Sequence, residues 1–361
     1  MLEKGKISPH QFTIMVATFI VGGSILYVPS GLIQSAKQDA WLVSILAVGL
    51  GLFLVFLFNT LGSNYPNMNF AEYSEKILGK WLGMLISLLY FTYFFLSTAV
   101  FIRQMGDFVI IQLLQETPLL AIHILLIVII IIGVRYGLET FSRAIEIFFP
   151  FIFVLFLIFI LSISPMIHFQ HLQPVLGNGM KPVMANAVRN LGTPYLQLVL
   201  FLMVFPAVNQ PIKAKKSFLL GTVLGGSALT IVTLVSILCF GTIFAKNQQF
   251  VTYVLALNIN IASFWQRIEA IMAFIWFTTM YIKITVYFYG SVLCMGQIFK
   301  VKEYKSLTFP LGFITLVLSL FINKNIVESD QQAEWWTAFS LPFGLFIPLL
   351  LIIVGKVRKK G

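Results

Sequence analysis

Apolar stretches of about 20 residues recur ten times along the 361-residue chain, at about 11–33, 41–62, 82–106, 118–137, 145–164, 184–209, 217–244, 266–292, 307–323 and 337–355. Each is long enough to cross a hydrocarbon core of roughly 30 Å as a helix rising 1.5 Å per residue. The pattern predicts an all-α integral membrane protein of ten transmembrane helices. Only short polar segments separate the stretches, so residues 1–361 read as a single membrane domain. Its two five-helix halves cover about 8–164 and 184–355. The first stretch reads as a true span and not a cleaved leader. Its apolar core is longer than a leader's, and no cleavage pattern follows Gly22-Gly23 before Pro29.

Two of the stretches are interrupted. Gly22-Gly23-Ser24 lies near the middle of the first, with Pro29 beyond it, and Gly192-Thr193-Pro194 near the middle of the sixth, with Pro206 at its end. Glycine costs about 1 kcal/mol and proline about 3 kcal/mol in a helix interior. Either cluster alone is also compatible with a kink or with close packing of small residues. They fall, however, on the first helix of each five-helix half. Matching breaks in two halves point to an inverted repeat with a ligand site near the bilayer midplane, where freed backbone groups line a cavity. Gly221 and Gly225 in the seventh stretch read as a helix-packing surface instead.

The loops add two local elements. Residues 69–79 alternate apolar and charged positions at helical spacing and close with Gly79, which predicts a short interfacial helix. Residues 165–183, with His168, His171, Pro174, Gly177, Gly179 and Pro182, form a turn-rich loop leading into the sixth span.

Composition agrees with a lipid solvent: 59% of residues are apolar, 36 are Phe, and only 10% are charged, against about 25% in soluble domains. The net charge of +11 would suggest nucleic acid in a soluble protein. Here it follows loop position, which removes the reason to expect that partner. With the N-terminus inside, 16 of the 24 Lys and Arg fall on inner segments, seven on outer ones, and Lys283 alone within a span. That bias predicts N- and C-termini both on the inner side. Cys239 and Cys294, both in apolar runs, read as buried free thiols.

Lys283 sits some 10 Å inside the inner end of the eighth span. A centrally placed charge costs about 2.5–3.5 kcal/mol on insertion scales and usually faces a cavity or partner. Snorkelling to the inner interface is the alternative. No acidic residue lies at matching depth in another span, so carbonyls of a broken first helix are the expected partners. Tyr93 and Ser97 share a face of the third span, with Tyr90 close to it. Their hydroxyls on an apolar wall suit a small amphipathic ligand, or else bond between helices. Gln197, just after the sixth-span break, can orient a carboxylate or an amine. Arg103 with Asp107, and Arg135 with Glu139, read as ordinary i, i+4 surface pairs. Glu146 reads as a shielded interfacial carboxylate and Glu269 as a vestibule residue. No cluster of His, Asp and Glu inside the spans supports an enzyme, and no phosphate-binding Gly loop or nucleotide domain supports a pump. No metal or other cofactor is implied. A channel stays open as an alternative, although no filter-like repeat is present.

Three segments carry a family resemblance. Tyr65-Pro66 is followed by Phe70-Ala71-Glu72-Tyr73 and Leu78-Gly79-Lys80-Trp81; Leu172 to Gly179 precedes Pro182; and Gln266-Arg267-Ile268-Glu269 is followed by Trp276 and Ile282-Lys283. Together they resemble the B subunits of GerA-type spore germinant receptors, spore germination permeases of the amino acid–polyamine–organocation superfamily. The resemblance runs the length of the chain. It implies a LeuT-like fold with broken helices 1 and 6, and a small-molecule germinant site between helices 1, 3, 6 and 8. It also implies partnership with an A-type subunit and a lipoprotein C-type subunit in the inner membrane of the spore. On this chain Gly22, Gly23 and Ser24 match the broken first helix, and Tyr93 and Ser97 the lining of the third. Relatives often carry Gly-Glu where this chain has Leu196-Gln197, a departure that removes a carboxylate. In sodium-coupled relatives of the fold an ion lies between helices 1 and 8, where Lys283 would place its ammonium as an ion-site mimic. The expected role is a germinant sensor for a small nutrient such as an amino acid. A secondary transporter of similar solutes and a ligand-gated ion or water conduit are the alternatives.

Overall fold

A computed structural model describes residues 3, 5–259, 268–323 and 326–360. Gln266 and Arg267, and the loop lysines Lys4 and Lys324, lie outside the described residues. The described chain is helical. It runs through α1 (Pro9–Ser24), α2 (Val28–Ala36), α3 (Ala40–Asn64), α4 (Phe70–Leu78), α5 (Lys80–Gln112), α6 (Leu119–Tyr136), α7 (Leu138–Ser162) and α8 (Met180–Arg189). The second half holds α9 (Phe201–Val204), α10 (Pro211–Ala245), α11 (Val251–Leu257), α12 (Glu269–Ile298), α13 (Thr308–Phe321), α14 (Ile326–Leu341) and α15 (Ile347–Lys360).

Among the described residues nine segments are long and apolar enough to cross a membrane. The sequence pattern gave ten. The difference lies in the first stretch, where the chain turns at Ile25–Tyr27 and leaves α1 only 16 residues long. The sixth stretch is broken more extensively. After α8 the chain takes short 3-10 turns at Asn190–Gly192 and Leu196–Leu200 before the single turn of α9. The last stretch is interrupted as well, by a π-helical turn at Pro342–Phe346 between α14 and α15.

Each break has a local cause. Ser8 caps α1 in a capping box with Gln11, and Pro9 occupies its first turn. Pro29 starts α2 two residues after the turn at Tyr27. Thr193-Pro194, joined by a cis peptide, lies within the long sixth break. The short helix expected over residues 69–79 is α4. Asn69 and Glu72 form its capping box, and Gly79 ends it at φ 90°, a left-handed conformation that favours glycine.

At the centre α1 lies between α10 and α12, and α5 packs on the far side of α12. The approach of α1 to α10 depends on small residues. A Cβ at Gly221 would sit 2.6 Å from the Thr13 carbonyl oxygen, and one at Gly225 2.8 Å from that of Ala17. This pair is the packing surface read from the sequence. Outward faces are apolar: Ile147, Phe151, Val154 and Leu161 of α7 are all exposed, as lipid contact requires. Cys239 and Cys294 are free and buried.

Two charge assignments from the sequence are corrected. Arg103 and Asp107 are not a surface pair, because both are buried between α5 and α13. Arg135 and Glu139 are not paired, because Gly137 turns the chain at φ 87° and puts them on different helices. Arg135 donates to the Lys305 carbonyl at 3.1 Å, and Glu139 pairs with Arg143 at 2.6 Å. Glu146 accepts from Gln11 Nε2 at 2.8 Å, tying α7 to α1.

Candidate functional site

The turn at Ile25–Tyr27 falls just past the Gly22-Gly23-Ser24 cluster, so these three residues form the last turn of α1 and are not unwound. Their work is close approach. A Cβ at Gly22 would lie 2.5 Å from the Thr279 carbonyl oxygen of α12, and one at Gly23 3.0 Å from Lys283 Nζ. The missing side chains therefore let α1 press against α12 where Lys283 is carried.

Lys283 is fully buried, which excludes snorkelling. Its Nζ has no hydrogen-bond acceptor among the described residues. Two ring faces hold it instead: Phe19 of α1, centroid at 5.0 Å, and Phe101 of α5, at 4.7 Å. Such cation–π contacts are worth about 0.5–2 kcal/mol each, short of what a buried charge loses on leaving water.

One helical turn along α12, Tyr287 packs against the same two rings, 5.4 Å from Phe19 and 5.4 Å from Phe101. Its hydroxyl lies within reach of the Tyr93 and Ser97 hydroxyls. Tyr93 lies 6.5 Å from Tyr287, stacks on Phe343 at 4.4 Å and donates to Ser340 Oγ at 3.2 Å. Ser97 donates back to the Tyr93 carbonyl at 2.7 Å, so its proton is committed within α5. Trp336 of α14 meets Phe101 at 6.0 Å, with its Nε1 unpartnered. Ser24 Oγ is buried without a partner.

Gln197 is fully buried on the Leu196–Leu200 turn, which packs against α12, α14 and the π turn. Its Nε2 makes a long 3.4 Å bond to Thr193 Oγ1, and its Oε1 has no partner. The geometry thus joins Gly22, Gly23 and Lys283 directly, and links Tyr93 and Ser97 to them through Tyr287 and Phe101. Gln197 stands on a neighbouring wall, with no contact to Lys283 to report. Sequence reasoning missed Phe19, Phe101, Tyr287, Trp336, Ser340 and Phe343. Three of these were within reach, since Phe19, Phe101 and Tyr287 lie four residues from Gly23, Ser97 and Lys283. The last helix could have been flagged by Pro342 and Gly344.

Both ends of the site are covered. At one end α11 folds over the α1–α2 turn. Thr252 Oγ1 donates to the Ile25 carbonyl at 2.8 Å, capping a carbonyl at the turn that ends α1. Ser30 Oγ donates to the Gln249 carbonyl at 2.9 Å and accepts from Val251 N at 3.2 Å. Phe250 and Tyr253 seat on Phe108 at 5.2 Å each. Burial, with the Glu269 carboxylate nearby, pushes the Tyr253 hydroxyl above its ordinary pKa. At the other end the segment before α1 pairs with the chain after α9, Ile7 N donating to the Ala207 carbonyl at 2.9 Å. Glu3 Oε2 accepts from Tyr304 at 2.8 Å and from Tyr289 at 3.2 Å.

A buried aromatic cluster beside an interrupted first helix, covered by polypeptide at both ends, is the candidate site. The solved structures agree on the fold. The Eremococcus coleocola manganese transporter in complex with an aromatic bis-isothiourea substituted compound superimposes with a TM-score of 0.61 at 11% identity, covering 96% of this chain and 81% of that one. The fold is that of LeuT-like transporters. In sequence, the chain matches the spore permease family, described as Spore germination protein, over residues 6–327. It is 30% identical to Spore germination protein KB of Bacillus subtilis (strain 168), covering 99% of this chain and 97% of that protein. It is 28% identical to Spore germination protein YndE of the same organism, with 99% and 98% covered. Spore germination protein XB of Bacillus anthracis is 21% identical over 68% of this chain and 69% of its own length. The chain belongs to the spore germination protein family of membrane permeases.

Proposed function

We propose that this chain is the nutrient-binding membrane subunit of a spore germinant receptor, triggered by a small molecule such as an amino acid. Its site is the chamber formed by Gly22, Gly23, Ser24, Tyr93, Ser97 and Gln197, with Lys283 standing where a coupling cation lies in sodium-dependent relatives of the fold. The observation that carries the reading is the group of buried polar atoms without partners on Ser24, Lys283 and Trp336. Buried polar atoms are normally satisfied, so a ligand that satisfies them favours the state in which it is enclosed. A ligand shifts a two-state protein by its difference in affinity for the two states, and that shift is the signal.

In this reading α1 with α2 makes the first of ten crossings, and residues of about 8–164 and 184–355 form the two repeats. The termini face the inside of the spore's inner membrane. The partners are an A-type subunit and a lipoprotein C-type subunit. A fixed ammonium in place of an ion makes the response independent of sodium. The test is a nutrient screen of spores lacking this protein, against spores carrying only this receptor. Loss of germination toward one nutrient class, restored by the gene, is the expected result. The transporter-like fold favours a second reading, uptake of the same solute. Flux into proteoliposomes holding this chain alone would establish it, and germination loss without flux would exclude it.

A further inference from the structure

The chamber is unbalanced in its hydrogen-bonding groups. On the donor side stand Lys283 Nζ and Trp336 Nε1, each of which can only donate, both buried and unpartnered. On the acceptor side stands Gln197 Oε1, on a separate wall, and Ser24 Oγ can either donate or accept but carries no charge. The Ile25 carbonyl, next past Ser24, is already taken by Thr252. The Tyr93 carbonyl is taken by Ser97. Asp107, the one acidic residue within α5, is held by Arg103 at 2.8 Å. A buried cation facing aromatic rings, with further donors and no acid, is complementary to an anion and repels a second cation.

We propose that Lys283 is the specificity-determining residue of this site and that it takes a carboxylate of the ligand as its counter-charge. This rests on the receptor reading above and names what that receptor reads. The ligand is bound by its anionic end, between Gly23 and the rings of Phe19 and Phe101, and its apolar part lies toward Tyr93 and Phe343. An ammonium–carboxylate bond is short and about twice as strong as a neutral one. Replacing the carboxylate by a carboxamide leaves the lysine without a counter-charge in a site that excludes water. The Leu196-Gln197 pair fits the same logic, because a Glu at Gln197 would supply a competing anion nearby.

The experiment uses spores with this receptor and its partner subunits as the sole germination system. Dipicolinate release is followed against the twenty amino acids, each matched with its carboxamide, and against D-glucose. The expected result is that the active acid works at a concentration at least tenfold below its amide. Lys283→Met should raise the concentration needed for the acid at least tenfold, and narrow the acid–amide gap, at unchanged abundance in the spore membrane. Because the acid–amide comparison is made on the unaltered protein, it stands even if the variant fails to accumulate. Replacing chloride by sulfate separates a ligand carboxylate from bound chloride: an unchanged acid–amide gap supports the proposal. A response that needs chloride and ignores the acid–amide difference overturns it. Equal potency of acid and amide, or triggering by glucose alone, overturns the assignment of Lys283 and leaves the receptor reading standing. Silence toward every nutrient overturns the receptor reading, and the proposal with it.

Discussion

Arg103 and Lys283 are both cations buried in the membrane part of the protein, and their surroundings are opposite. Arg103 is held by acceptors of the chain itself. Its Nε meets Asp107 Oδ1 at 2.8 Å, and its Nη1 donates to the carbonyls of Leu320 at 3.3 Å and Asn323 at 2.5 Å. These carbonyls close the end of α13, where helix groups lack partners of their own. Beside them His123 is hydrogen-bonded to Ser319 at 2.9 Å. Lys283 has ring faces on two sides and no acceptor among the described residues. A charge held by acceptors of two helices ties them together, whereas a charge left without acceptors awaits one from outside the chain. Arg103 lies close to the end of its span and Lys283 deeper in its own, and their partners separate them further.

The largest expected effects come from reversing this contrast. Arg103→Met leaves Asp107 buried without a counter-charge and uncaps α13. Breaking a buried pair in this way costs about 3–5 kcal/mol, so the variant should accumulate poorly and unfold early in detergent. Changing both residues, Arg103→Met with Asp107→Leu, removes the stranded charge and should recover much of that loss. Lys283→Met should move stability the other way. It deletes a charge whose central burial costs about 2.5–3.5 kcal/mol on insertion scales, and should raise the unfolding temperature while weakening the nutrient response. A Lys283→Met protein that is less stable and fully responsive would erase the distinction between the two sites.

A smaller effect separates the two glycines that flank the turn after α1. Gly22→Ala drives a methyl onto the Thr279 backbone, which has no flexible end to move away. Overpacking of this kind costs about 1–3 kcal/mol, and it should push α1 off α12 and blunt the nutrient response. Gly31, on the exposed side of α2, has open space around its Cβ position. Gly31→Ala should gain about 0.5–1 kcal/mol by helix propensity and leave the response unchanged. Thermal unfolding and germination dose–response on both variants check the pair.

The architecture was legible because lipid imposes it: backbone groups without water force helices, and helices of bilayer length print themselves as apolar runs. Lys283 was legible for the same reason, since any charge stands out in such a run. Arg103 and Asp107 were misread because i, i+4 spacing is the same on a solvated face and on a buried one. What distinguishes them is α13, more than 200 residues away. The aromatic walls were hidden for a different reason. With 36 Phe in the chain, a chamber Phe carries no mark that separates it from a lipid-facing one. The role of Gly22 and Gly23 was half visible. The sequence pattern placed the interruption near them but could not tell unwinding from contact with α12.

The smallest effect concerns the cover over the site, and it asks whether the satisfied and unsatisfied regions are linked. Thr252 supplies the Ile25 carbonyl with a partner from α11, much as Arg103 supplies α13. Thr252→Val keeps the shape and removes that bond, worth about 0.5–1.5 kcal/mol. Such a loss is too small to unfold the protein but is comparable to the gap between closed and open states of a gate. The expected outcome is faster labelling of a cysteine placed at Ser24 by an outside thiol reagent, with little change in unfolding temperature. Labelling at the unaltered rate would mean that α11 covers the chamber without restraining it. The turn at Ile25–Tyr27 would then be held by Ser30, by the ring contact of Tyr27 with Phe250 and by the bond from the Tyr27 hydroxyl to the Gln104 carbonyl.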